Sequence, residues 1–188
     1  MRGSALGGRI VGVQVGLPKD HGDWRTAFFK EPVRGEVVLH RLGLEGDGQA
    51  DRRVHGGPDK AVLVYSADHY EAWREELAQP DLPFGAFAEN LTVQGLDETS
   101  VCVGDIFRVG DALVQVSQPR GPCWKIGRRW GRPDLVIRVA RSGRTGWYLR
   151  VIEPWRLEVG SDMRLVSRPF PEWVVGSTGM NPGSARSS

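Results

Sequence analysis

Two cysteines stand in this 188-residue chain, and their surroundings differ. Cys123 lies in Gln118-Pro119-Arg120-Gly121-Pro122-Cys123-Trp124-Lys125, where prolines stiffen the approach and the residues after the sulfur read as the first turn of a helix. Unpaired amides at a helix start carry partial positive charge, and together with nearby cations they favour thiolate over thiol. A thiolate attacks electrophiles or binds a soft metal. The opposing reading is a small buried hydrophobe, the common fate of a free cysteine. Five cations and no acid fall between Arg120 and Arg132. A basic run can be a plain solvated face, but the thiol inside this one points instead to a local anion site. Cys102, in Ser100-Val101-Cys102-Val103, has only strand-like apolar neighbours and reads as core.

A second candidate is the glycine-rich stretch from Gly43 to Lys60. Its glycines, Gly56 and Gly57 among them, let backbone amides approach a bound group closely, while His55 and Lys60 add side-chain donors. The stretch lacks the Gly-Lys-Ser/Thr ending of a phosphate loop and the dinucleotide fingerprint that opens a helix. His55 has no second His or Cys at zinc spacing, and Glu45, Asp47, Asp51 and Asp59 are too irregular for a calcium loop. In Pro83-Phe84-Gly85-Ala86-Phe87-Ala88-Glu89-Asn90-Leu91-Thr92, Glu89 and Asn90 at the mouth of a strand either orient a ligand or cap a turn.

These residues must be positioned mostly by short strands. Ile10 to Val15 alternates in a strand-like way, and Glu36 to Leu44 is apolar and β-branched enough to pair with it. Ala61 to Tyr65 reads as a strand buried on both sides. Leu91 to Val93, Ile106 to Val109, Ala112 to Ser117, Gly146 to Ile152 and Met163 to Val166 follow, with a tight turn at Gly110-Asp111. Ser66 caps a helix running to about Ala78, with Tyr70, Trp73 and Leu77 on one face. A shorter helix starts near Cys123. Asp134 and Gly143 bracket a third, although Leu135-Val136-Ile137 would also suit a strand. Short strands at this spacing predict a barrel or sandwich rather than a doubly wound sheet.

Composition sets the outer bounds. Hydrophobic residues make up 40% and charged residues 26%, the mixture of an ordinary globular domain. A net charge of only +2 argues against a protein that coats nucleic acid by charge alone; a platform of Arg128, Arg129 and Trp130 for single strands is the weakest alternative. No window is long and apolar enough for a membrane span, and MRGSALGGRIVGV has no signal-peptide core. Two cysteines build no disulfide framework, so a reducing, cytoplasmic setting is expected. The expected organisation is one mainly β domain over residues 1–175, followed by a disordered tail over 176–188.

Several separated motifs together resemble one family. Gly46 to Asp51 (GDGQAD), residues 54–62 (VHGGPDKAV), Phe87 to Leu91 (FAENL), Gln118 to Cys123 (QPRGPC) and Ser142 to Val151 (SGRTGWYLRV) match the MOSC family in order and spacing. That domain is related to the C-terminal part of molybdenum cofactor sulfurase, and the YiiM-like subgroup is the nearest in pattern. The resemblance covers about residues 10 to 170. It implies a closed β-barrel like the one inserted in pyruvate kinase, with a few peripheral α-helices. It also implies binding of the molybdenum cofactor (molybdopterin), with Cys123 as sulfur carrier or direct molybdenum ligand.

On that basis Lys60 and Arg120 take the cofactor's anionic groups and the amides of Gly56 and Gly57 lie close to it. His55 is a hydrogen-bond donor or proton shuttle near the metal, and Glu89 and Asn90 orient the pterin. Relatives reduce N-hydroxylated bases and amidoximes with electrons from flavoproteins or haem proteins. The resemblance therefore implies an oxidoreductase acting on small N-hydroxylated substrates; the alternative is a carrier of persulfide or cofactor with no turnover of its own. The family label also carries an association with pyridoxal phosphate, inherited from the sulfurase, whose cofactor lysine belongs to a separate domain unmatched here. Two departures stand out. Members usually read Phe-Gly-Glu-Asn where this chain has Ala88 before Glu89, and an alanine there is strained if φ is positive. YiiM-like proteins also commonly continue into a small helical extension, whereas this sequence ends soon after Trp173, which bears on docking of an electron partner.

Overall fold

The structure is a computed structural model that describes residues 6–50 and 56–178. Thirteen strands run in the order β1 (Gly7–Val15), β2 (Lys19–His21), β3 (Trp24–Thr26), β4 (Glu31–Pro32), β5 (Val37–His40), β6 (Gly43–Leu44), β7 (Val62–Ser66), β8 (Leu91–Gln94), β9 (Ile106–Val109), β10 (Ala112–Pro119), β11 (Trp147–Glu153), β12 (Trp155–Leu157) and β13 (Asp162–Ser167). The helices are α1 (Tyr70–Glu76), α2 (Trp124–Trp130), α3 (Leu135–Ser142) and α4 (Val175–Thr178).

Seven strands close a barrel in the order β13-β9-β10-β11-β7-β8-β1, and β1 returns to β13 through Gly7 opposite Arg164 and Gly8 opposite Met163. All of these pairings are antiparallel except β7 with β8. Parallel neighbours need a crossover, and α1 lies within the connection. Period-two alternation puts Val114 and Val116 of β10, and Trp147, Leu149 and Val151 of β11, inside the barrel with Ile10, Val62, Val64, Phe107 and Met163. A second apolar cluster covers the outer wall, where Tyr65, Tyr70, Trp73 and Phe87 meet Ile126, Leu135 and Val139. β7 serves both clusters, so all five of its residues are buried.

The expectation that residues 36–44 pair with β1 is corrected. They split into β5 and β6, and β5 pairs with both β6 and β12 in a separate small sheet. Along its length β1 is already paired with β13, β8 and β4, so it offers these residues no edge. Val37, Leu39, Leu44 and Leu157 of the small sheet still pack onto the barrel core.

Between Asp134 and Gly143 the chain forms helix α3, not a strand. Leu135 and Val139, four apart, share the buried face, and Gly143 ends the helix at φ 72°. Ser66 accepts from the Asp68 N–H at 3.3 Å and opens a short helical turn over Ala67–His69; α1 then ends at Glu76, two residues before the expected limit. The expected tail over 176–188 lies outside the described residues from 179 on; within α4 the Gly176 N–H donates to Glu98 O, on the loop after β8, at 2.8 Å. Among the described residues no helix is long and apolar enough to cross a membrane.

Candidate functional site

β10 delivers the cysteine segment to the outside of the barrel. Past Pro119, the Arg120 N–H donates to Gly146 O at 3.0 Å, continuing the ladder with β11. Gly146 sits at φ 81°, and a Cβ there would stand 2.5 Å from Val64 O, so only glycine lets the start of β11, which anchors Arg120, lie this close to β7. The Arg120 side chain is 4% exposed, and its guanidinium donates to Phe87 O at 3.0 Å and to Thr145 O at 3.4 Å. Cys123, extended at φ −121° and ψ 160°, is the residue from which α2 starts. It is half-buried at the border of the outer apolar cluster.

Opposite stands the turn Pro58–Lys60. The Asp59 carboxylate accepts from Arg150 Nε at 2.7 Å, and the Asp59 carbonyl accepts from the Ser117 hydroxyl at 2.5 Å. This fastening to β10 and β11 brings Lys60 Nζ to 5.8 Å from the centre of the Tyr148 ring. Tyr148 points outward on β11, between the inward Trp147 and Leu149. Burial raises its pKa; the nearby Arg120 charge lowers it and Cys123 raises it, so phenol, guanidinium and sulfur lie within electrostatic reach of one another.

These elements enclose a cleft of about 650 Å³, mouth included. Its lining brings Cys123, Arg120, Lys60, Lys125 and Tyr148 together with Ala27, Phe28, Lys30, Asp47, Leu63, Ala88 and Asn90. Lys30 and Asp47 form an ion pair, and Asp47 also accepts from the Gly16 N–H at 2.8 Å, so that pair adds little net charge. Arg120 and Lys125 add positive charge to the lining, which Lys60 also joins.

Of the residues singled out in the sequence, Cys123, Arg120, Lys60, Asn90 and Gly56 meet at this cleft. Asn90 also braces the walls, since its side-chain oxygen accepts from Leu63 N–H at 3.1 Å and its nitrogen donates to Gln14 O at 3.3 Å. Gly57 caps the Pro58–Lys60 turn at φ 86° and is not among the lining residues. Glu89 is fully buried and does not line the cleft; its carboxylate accepts from Tyr70, Gly85, Phe87 and Thr92. His55 lies outside the described residues. Ala88 does adopt a positive φ, 65°. Arg129 donates to Phe28 O and Gly85 O, Trp130 to Ala86 O, and Arg128 pairs with Asp23, so all three of these side chains are engaged within the fold.

Lys125 belongs to the cationic run read around Cys123, whereas the sequence reading assigns no role to Lys30 or Tyr148. Strand alternation could have flagged Tyr148 as the residue facing away from the barrel interior beside Arg120. Nothing local marks Lys30, which reaches the cleft from a distant loop.

Among the described residues no group of three or more His, Cys, Asp or Glu side chains could hold a metal ion. Cys123 is a single soft donor, so a metal here must arrive carrying ligands of its own. A chelated metal with an anionic arm suits one sulfur beside Lys60, Arg120 and Lys125, and in that sense the residues fit a molybdenum cofactor.

Fold and site together define a β-barrel domain with an external cationic cleft that holds one reachable thiol. The chain belongs to the MOSC domain family, whose model matches residues 51–164. It is 47% identical over 163 residues to the uncharacterized protein YflK of Bacillus subtilis, covering 85% of this chain and 73% of that protein. Protein YiiM of Escherichia coli is 44% identical over 145 residues, with 76% and 65% covered. A protein named Reductase from Gibberella moniliformis is 39% identical over 157 residues, which span 82% of this chain and 28% of that protein. The crystal structure of YiiM from Geobacillus stearothermophilus superimposes with a TM-score of 0.78 at 35% identity, covering 92% of this chain and 82% of that one. The chain thus spans just under two thirds of the E. coli protein and little more than a quarter of the reductase.

Proposed function

We propose that the cleft binds a molybdenum cofactor beside Cys123 and that the chain is an oxidoreductase reducing small N-hydroxylated substrates. The observation that carries this reading is the placement of one soft donor, Cys123, among Lys60, Arg120 and Lys125 with no competing metal cluster among the described residues. The 39% identity to part of a protein named Reductase supports the redox half.

Bound in the cleft, molybdenum supplies two-electron chemistry, by which a hydroxylamine, two electrons and two protons become an amine and water. The chain's own residues bind and orient. Lys60 and Arg120 offer cationic donors to the cofactor's phosphate, with Lys125 at the same wall. Cys123 offers sulfur to the metal. Tyr148 brings a phenolic proton to the cleft that Cys123 lines, and burial, which raises its pKa, keeps that proton in place at neutral pH. The electrons come from a partner flavoprotein or haem protein.

Turnover is the test. Protein from a cofactor-competent host, given a chemical reductant and an N-hydroxylated base, is expected to release the amine, and Cys123→Ala to release none. Persulfide on Cys123 by mass spectrometry with no amine formed would make the chain a sulfur carrier instead.

A further inference from the structure

Buried Glu89, which does not itself line the cleft, is joined to the cysteine segment by hydrogen bonds through the peptide units of residues 85–87. Its Oε1 accepts from the Tyr70 hydroxyl at 2.5 Å, the Gly85 N–H at 2.7 Å and the Thr92 hydroxyl at 3.0 Å, and its Oε2 from the Phe87 N–H at 3.2 Å. The Ala86 N–H donates to the Tyr70 oxygen at 3.2 Å. The amides of residues 85–87 therefore face Glu89 and Tyr70, and their carbonyls are left for other partners. Gly85 O accepts from Arg129 at 2.8 Å, Ala86 O from the Trp130 indole at 3.0 Å, and Phe87 O from Arg120 at 3.0 Å. Three consecutive carbonyls thus hold the segment 120–130 at both ends, with Cys123 between them.

We propose that Glu89 is a positioning residue for Cys123: its carboxylate fixes the turn whose carbonyls hold Arg120, Arg129 and Trp130, and so sets where the sulfur stands in the cleft. The proposal rests on Cys123 being the working group of the site. Hydrogen bonds to a carboxylate are roughly twice as strong as neutral ones, which suits a turn that must hold Ala88 at φ 65°. Burial lowers the pKa of Arg129 and the Glu89 charge opposes that shift, so the two charges support each other across the turn.

The test is Glu89→Gln in the full chain, made in a host that lacks the cofactor. An amide nitrogen in place of Oε2 would face the Phe87 N–H, donor against donor, and release the carbonyl that holds Arg120. Iodoacetamide labelling of the native protein, followed by peptide mass spectrometry, reads Cys123 directly, and buried Cys102 reports whether the fold persists. Cys123, half-buried beside this turn, is expected to label at least threefold faster while Cys102 stays protected. A purely structural Glu89 would lower the melting temperature and leave the native-state rate of Cys123 alone. An unchanged or slower rate with Cys102 protected overturns the proposal. If Cys102 also labels, Trp130→Phe, which removes the indole donor to Ala86 O and keeps an aromatic ring against the outer cluster, decides by the same criterion. Molybdenum content of wild-type protein from a competent host reads the functional proposal separately, so either can fail alone.

Discussion

Arg120 shows how one side chain can serve both the fold and the site. Its guanidinium is nearly buried, and the acceptors it meets are main-chain carbonyls, Phe87 O and Thr145 O. The charge therefore remains available to an anion in the cleft. Arg120→Met would leave both carbonyls short of a donor, and a loss of about 3 kcal/mol in urea unfolding is expected, together with loss of any bound anion. Asp97 illustrates a different residue-scale effect. Burial raises its pKa, but hydrogen bonds from Thr99 and Ser100 outweigh that and hold it below the ordinary 3.8. A depressed carboxyl contributes stability above its unfolded pKa and loses it as pH falls through the lower folded value. Melting temperature should thus decline below about pH 4, and Asp97→Asn should weaken that decline; an identical pH profile in the variant would refute the assignment.

At the scale of elements, the 84–90 turn holds an alanine at positive φ, as does the end of α1 at Ala78 (φ 52°). Ala88 occupies φ 65°, where an L side chain costs about 1–2 kcal/mol, while glycine there costs chain entropy instead. Ala88→Gly is expected to stabilise by about 0.5–1 kcal/mol, raising the melting temperature by about 1–4 °C. This turn also marks how far the sequence could be read. The residue pattern identified Ala88 as the departure from family usage, and it identified Cys123, Lys60 and Arg120 through their charge and motif. It left Glu89 beside Asn90 as an undecided pair, because a fully buried carboxylate and a ligand-facing one look alike until the donors around them are known. Strands with strong alternation were legible, whereas β12 and the β2–β3 hairpin, three residues per strand and largely exposed, carry no apolar pattern to read. For residues 36–44 the pattern showed strand character but not the partner, since alternation encodes which face is buried and not which edge is free. Lys30 was illegible for a related reason: only the folded chain sets it against Asp47.

For the whole molecule, barrel closure is what brings distant segments to one cleft. The pairing of β1 with β13 completes the ring, and the stretch after β13 is latched to it by Arg168, which donates to both oxygens of fully buried Asp105 at 2.9 and 2.7 Å. Asp105 also accepts from the Cys102 N–H at 2.8 Å. Arg168→Ala would leave a buried carboxylate without its counter-charge, and a cost of about 3–5 kcal/mol is expected in denaturant unfolding. A change under about 1 kcal/mol would mean the latch contributes little.

Under the proposed function, Cys123 holds a molybdenum-bearing group in the cleft between the lysine turn and the arginine segment. Metal analysis of full-length protein from a cofactor-competent host tests this most directly. Wild type should carry close to one molybdenum per chain and Cys123→Ser, folded to the same melting temperature, almost none. Equal molybdenum in both, or none in the wild type, would contradict it.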